Sequence, residues 1–186
     1  MRKALLLLVI VCSGVSVAQE HELAVVLGGQ FTIKDPFEFD PGVAIQGNYA
    51  NRLADAPLAA VYLEFPVVFA FDVNRSLPSA VEEREYSSLF VTPSLKLKLA
   101  PELPVSPFFS AGVGFARFMG SDATGGGSET GAALQFGGGL DFKVAPFVSL
   151  RGEVRDFYTG APEFGSLTTD GQQHNVITSG GIVFRF

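Results

Sequence analysis

The chain has 186 residues, enough for one domain with a sizeable core. Its single cysteine excludes a disulfide framework, and 19 acidic against 13 basic residues remove the electrostatic case for binding nucleic acid. Hydrophobic residues make up 47%, yet beyond the N-terminal region no unbroken apolar stretch reaches the ~18 residues of a spanning helix.

The chain opens with Arg2 and Lys3, then the apolar run "ALLLLVIV" (Ala4 to Val11) and the small residues Ser16-Val17-Ala18. This is the pattern of a secretory signal cleaved after Ala18. The predicted organisation is therefore a signal peptide over 1–18 and one domain over 19–186. The run is well short of the ~20 residues a membrane anchor needs. Val11 stands before Cys12 where a lipoprotein would carry a small residue. Cleavage removes the cysteine and two basic residues, leaving 11 basic against 19 acidic residues and a net charge of −8.

Eight segments with strand character follow, separated by Gly, Pro, Asn and Asp clusters. In "ELAVVLGGQF", Leu23, Val25, Leu27 and Phe31 share one parity. In "GVAIQGNYA", Val43, Ile45 and Tyr49 oppose Ala44, Gln46 and Asn48. The third segment, "LAAVYLEFPVVFAFDV", sets Val61, Leu63, Phe65, Val67, Phe69 and Phe71 against Tyr62, Glu64 and Pro66. The fourth, "YSSLFVTPSLKLKLA", alternates Leu89, Val91, Leu95, Leu97 and Leu99 with Ser88, Thr92, Ser94, Lys96 and Lys98. Then come "SPFFSAGVGFARF", "GAALQFGGGLDFKV", "PFVSLRGEVRDFY" and "SGGIVFRF", all with the same period of two. Pro66 and Pro93 each delete a ladder donor, which predicts bulges or points where the strand leaves the membrane.

Connections alternate in length. Residues 32–41, 74–85, 119–130 and 159–172 read as long loops, and 51–57, 100–106 and 144–145 as shorter turns. An antiparallel meander with one ragged and one tight end is the signature of a transmembrane barrel. Small residues on the polar face suit a cramped eight-stranded lumen. That face also carries charges of both signs: Glu64, Lys96, Lys98, Asp141, Arg151, Glu153 and Arg155. A closed interior can pair them. The 18 Phe fall largely on the apolar parity or near segment ends, as an aromatic belt would, although Trp is absent. The predicted fold is an all-β, eight-stranded antiparallel transmembrane β-barrel.

The final "SGGIVFRF" places Ser179, Gly181, Phe184 and Phe186 in the pattern polar, any, Gly, any, any, aromatic, any, terminal aromatic. It resembles the C-terminal recognition signal of bacterial outer-membrane proteins, which implies handling by the barrel-assembly machinery. The exported region as a whole resembles the small outer-membrane β-barrel family that includes the OmpA transmembrane domain and OmpX, the porin-family outer-membrane barrels of Gram-negative bacteria. "SLRGEVRDFYTGAP" (Ser149 to Pro162) is similar to a penultimate strand of such barrels. The resemblance implies location in the cell outer membrane, with lipid and lipopolysaccharide as partners, and does not extend to a peptidoglycan-binding domain.

Site chemistry is sparse. Only His21 and His174 are present, and His174 lacks a Ser two places on; a set of Ser166, Asp170 and His174 could form only in space. Asp35, Glu38 and Asp40 lack the spacing of a defined calcium loop. The glycines of "GVGFARFMGSDATGGG" lack the Lys-Ser/Thr and helix of a phosphate loop. The expectation is a non-enzymatic barrel with no catalytic residue, cofactor or metal, serving a structural or surface-interaction role, with the lumen charges as a plug. A narrow porin-like channel is the alternative, and a rim-sited lipid A-modifying enzyme the second. The partner of the external loops is not readable from the residues.

Overall fold

The computed structural model describes residues 20–34, 38–72, 85–122, 125–160 and 172–186. The predicted signal peptide, Asp35, Ser166 and Asp170 lie outside them. Nine strands follow in chain order: β1 (His21–Lys34), β2 (Glu38–Ala56), β3 (Ala59–Asp72), β4 (Glu85–Val91), β5 (Ser94–Leu99), β6 (Val105–Asp122), β7 (Gly125–Ala145), β8 (Val148–Gly160) and β9 (Gln172–Arg185). β4 and β5 occupy one position in the sheet, since both pair with β3 on one side and β6 on the other. β9 pairs with β1, so eight antiparallel positions close into a ring.

The register fixes the barrel's shape. Directly paired residues run from Glu22 to Ala50, Glu64, Ser94, Gly112, Gln135, Phe157, Asn175 and back to Thr32. One circuit therefore displaces the chain by ten residues, from 22 to 32. With the usual strand rise and spacing, eight strands so staggered tilt by about 40°.

The sheet is inside-out relative to a water-soluble barrel. On β5, Leu95 is 58% and Leu97 42% exposed, whereas Lys96 and Lys98 are fully buried. The same alternation holds around the ring, with Val25, Ile45, Phe69, Val113, Phe136, Leu150 and Ile182 all facing out. Such a belt is stable only against lipid, and a closed ring leaves no strand edge to be satisfied there. On β6 the outward apolar positions run from Val105 to Phe115 and stop at the exposed Arg117. That length matches the ~9–11 residues of a tilted spanning strand.

Three expectations need correcting. The stretches read as loops at 32–41 and 119–130 continue as ladder to Lys34↔Glu38 and Asp122↔Gly125. Their polar, Gly-rich composition hid strands whose backbone ladder continues beyond the belt. The turns placed at 51–57 and 144–145 fall at 57–58 and 146–147, because β2 stays paired to Ala56 and a bulge between Lys143 and Ala145 carries β7 one residue further. The bulges expected at the prolines are absent. The register is unchanged across both: Val67↔Val91 and Glu64↔Ser94 lie on one line, and Asn48↔Pro66 pairs in step. Instead the ladder is interrupted at Thr92–Pro93, which lies opposite Pro66 and Phe65. Pro66 withholds a donor from Thr92 on the β3 side and Pro93 withholds one from Val113 on the β6 side, so the pairing lapses on both sides of the strand without a slip.

Candidate functional site

The lumen is layered, and β8 displays the order. Its inward side chains are Arg151, Glu153, Arg155, Phe157 and Thr159, read from the short-turn end towards the opposite rim. The first three enter a continuous ion-pair network. Arg151 donates two parallel bonds to Asp141, Nε to Oδ1 at 2.7 Å and Nη2 to Oδ2 at 2.9 Å. It also lies 3.4 Å from Glu22 and 3.6 Å from Glu64. Arg155 bonds Glu64 at 2.9 Å and Glu153 at 3.0 Å. Lys96 bridges Glu22 at 2.7 Å and Glu64 at 3.1 Å, while Lys98 joins Glu22 and, at 2.6 Å, Asp141.

All seven lumen charges named from the sequence thus face inward, and each is paired. Two further members were missed. Glu22 contacts four cations: Lys96, Lys98, Arg151 and Arg185. Arg185 closes the mouth at 3.4 Å from Glu22 and 3.5 Å from Asp141. Both sit at strand ends, where mid-strand charges draw attention away, and the β1–β9 register pairs them directly. The network therefore holds four carboxylates and five cations.

Neutral groups extend it. Gln46 donates to Glu153 at 2.6 Å and to Asn48 at 2.8 Å, and Gln135 donates to Ser110 at 3.0 Å. Aromatic faces take part too, with the Arg151 guanidinium 4.5 Å from the Phe108 ring centroid and Lys96 5.0 Å from that of Tyr62. The glycines opposite make the room. A Cβ on Gly139 would come within 2.8 Å of the Phe108 ring, and one on Gly137 within 2.8 Å of the Arg155 stem.

Beyond the ions comes an apolar layer that parity alone could have revealed. Phe90, Phe118 and Phe157 are buried with Ala44, Val68, Ala70, Ala116, Ala133 and Ile177. The Phe90 ring lies 4.6 Å from Phe157 and meets Phe118 edge-on at 5.9 Å. The Phe as a group read largely as an outer belt, but these three sit on the polar parity and fill the lumen. Above them, Asn175 accepts from Gln173 at 2.7 Å and donates to the Phe157 carbonyl at 3.1 Å.

The C-terminal residues split by parity. Ser179 faces in and Gly181 packs against β1, while Phe184 and Phe186 face out, 45% and 51% exposed. Phe186 exchanges both backbone bonds with His21, at 3.0 and 3.1 Å. The His21 ring is 5.6 Å from that of Phe186 and 2.9 Å from the Tyr49 hydroxyl. His174 lies elsewhere, on the outward face at the opposite rim, where Nδ1 is 2.7 Å from Asp156 and the ring is 4.9 Å from Tyr158. Among the described residues no serine bonds it, and no group of three or more His, Cys, Asp or Glu is placed to hold a metal.

No family model and no curated protein matches the chain. Solved structures do. Neisserial surface protein A superposes with a TM-score of 0.68 at 14% identity, over 89% of this chain and 97% of that one. Ail, the attachment invasion locus protein of Yersinia pestis, gives 0.56 at 15%, over 89% and 99%. The outer membrane enzyme PagL gives 0.55 at 14%, over 86% and 97%. The chain has the fold of the small eight-stranded outer-membrane barrels, a fold that carries both enzymes and proteins of other kinds.

Proposed function

We propose that this protein is a non-enzymatic, non-conducting barrel of the outer membrane, sealed through its centre and active through its outer surface. The observation that carries the reading is the double filling of the lumen, ionic on the short-turn side and aromatic on the other. A path for ions would have to break paired charges and then cross a layer too apolar to wet. Planar-bilayer recording of the purified barrel tests this. Silence at 100 mV is expected, and discrete openings lost in Arg151→Ala or Glu153→Ala would establish the narrow channel instead.

Charge distribution supports a surface role. The lumen network carries four acids and five bases, so the rest of the exported region holds 15 acids and six bases, a net −9. The partners this favours are cationic surfaces, or lipopolysaccharide phosphates bridged by divalent ions, rather than polyanions. Ail has been crystallised with the heparin analogue sucrose octasulfate, a ligand class that the net negative charge here disfavours.

Ser179, Gly181, Phe184 and Phe186 serve, in this reading, as the signal for the barrel-assembly machinery. Deleting Phe186 is expected to lower the outer-membrane level several-fold in cells, while urea-unfolded protein still refolds in detergent. Loss of refolding as well would reduce the residue to a stabilising contact with His21. The exterior His174–Asp156 pair and the likeness to the enzyme PagL favour a lipid-modifying enzyme. Mass spectrometry of lipid A from cells with and without the protein is expected to show one unchanged pattern, and a new acylation state would reverse the assignment.

A further inference from the structure

At the short-turn mouth the lumen carries more positive charge than its acids neutralise. Five cations face four carboxylates in the buried network, and Arg185, its outermost member, has no acid closer than 3.4 Å. Neither its Nε nor its Nη2 makes a hydrogen bond, although the side chain is only 6% exposed. Period two turns Lys143 of β7 towards the same opening. It is half-buried and, among the described residues, has no acid in ion-pair range. Two hydroxyls face the same way. Ser149 Oγ is buried without a hydrogen-bond partner, and the Tyr62 hydroxyl, on a side chain 2% exposed, has none among the described residues.

The register sets these groups on one arc. Lys143 is the direct partner of Ser149, Ser149 is that of Val183, and Arg185 stands two residues beyond Val183 on the same face. Glu22 links Arg185 to Ala50 across β1, and Arg52, two residues past Ala50, pairs directly with Tyr62. An eight-stranded lumen is narrow enough for side chains of facing walls to meet. Lys98, from β5, already reaches both Glu22 and Asp141. The other acids of this end serve elsewhere. Asp55 and Glu102 are taken by Arg52, with side chains 62% and 78% exposed, and Glu20 is exposed. A solvated carboxylate is a weak counter-ion for a guanidinium buried to this degree.

From this surplus we infer an anion site in the short-turn mouth, built for a small oxyanion such as inorganic phosphate. Arg185 and Lys143 supply the charge, and the Ser149 and Tyr62 hydroxyls donate to the remaining oxygens. An oxyanion is favoured over a halide because the donors converge from several strands and include a guanidinium, whose planar fork matches two oxygens at once. The site lies outside the ion-pair layer, so it fills without opening the lumen. It takes a dissolved ion from the aqueous side, not a lipid from the belt.

The test is isothermal titration calorimetry of the folded barrel purified from outer membranes. The probe is sodium phosphate, with sodium chloride holding the ionic strength constant. Wild type is expected to show saturable binding of one phosphate. Affinity is expected to fall about tenfold in Arg185→Gln, about fivefold in Lys143→Gln and about threefold in Tyr62→Phe, as loss of charged and neutral donors implies. Arg117→Gln, altered at the opposite rim, is expected to bind as wild type does. No saturable phosphate heat above the chloride background would overturn the site. So would an affinity unchanged in both Arg185→Gln and Lys143→Gln. Should Arg185→Gln not fold, Lys143→Gln, which breaks no ion pair, decides alone. Conduction in planar bilayers would sink the sealed-lumen reading, a result separate from the phosphate titration.

Discussion

Glu22→Ala is expected to destabilise the folded barrel by about 3–5 kcal/mol, the range for removing one partner of a buried ionic cluster. Glu22 is the acid that Lys96, Lys98, Arg151 and Arg185 share. The network already has five cations for four carboxylates, and deleting an acid leaves five for three. Arg185→Ala moves the balance the other way, to four and four. Its contacts are longer, at 3.4 and 3.5 Å, and it is the cation in excess, so a smaller loss than for Glu22→Ala is expected. The double variant should therefore be more stable than Glu22→Ala alone. Urea midpoints read from the folded fraction on cold gels check all three. A Glu22→Ala midpoint equal to wild type would mean that the lumen charges are solvated well enough to dispense with pairing.

Phe157→Ala is expected to cost about 3–5 kcal/mol, as for other buried aromatic truncations. Phe157 anchors the apolar layer through its contact with Phe90. The functional consequence separates the two layers. Arg151→Ala leaves the aromatic layer closed, and Phe157→Ala leaves the ion pairs intact, so each single variant should stay silent in planar bilayers. The combined Arg151→Ala/Phe157→Ala barrel is expected to conduct. Openings in Arg151→Ala alone would show that the aromatic layer seals nothing.

Much of this was readable from parity. The strand period follows from alternation, whereas the inverted orientation needed the small residues, the mixed-sign charges of the polar face and the Phe distribution as well. Composition misled where parity was set aside. A belt read from the 18 Phe as a group passes over Phe90, Phe118 and Phe157, each of which stands on the polar parity of its strand. Glu22 and Arg185 needed the closing register, a long-range fact that local pattern does not contain. The extended β6–β7 hairpin was hidden for a related reason. Outside lipid and away from a core, a ladder can be held by backbone bonds while its side chains carry no period. The unbulged register at Pro66 and Pro93 likewise depends on which neighbour strand each residue faces, which only the pairing reveals.

The central claim is that the apolar face looks outward into lipid around a filled, charged lumen. Its most direct test is to express the full-length chain in a Gram-negative host, isolate outer membranes, and compare boiled and unboiled samples by cold SDS gel electrophoresis. A compact band in the outer-membrane fraction that shifts on boiling is the expected result. Recovery in the soluble periplasmic fraction, with no shift, would contradict it and invert the orientation of every strand described above.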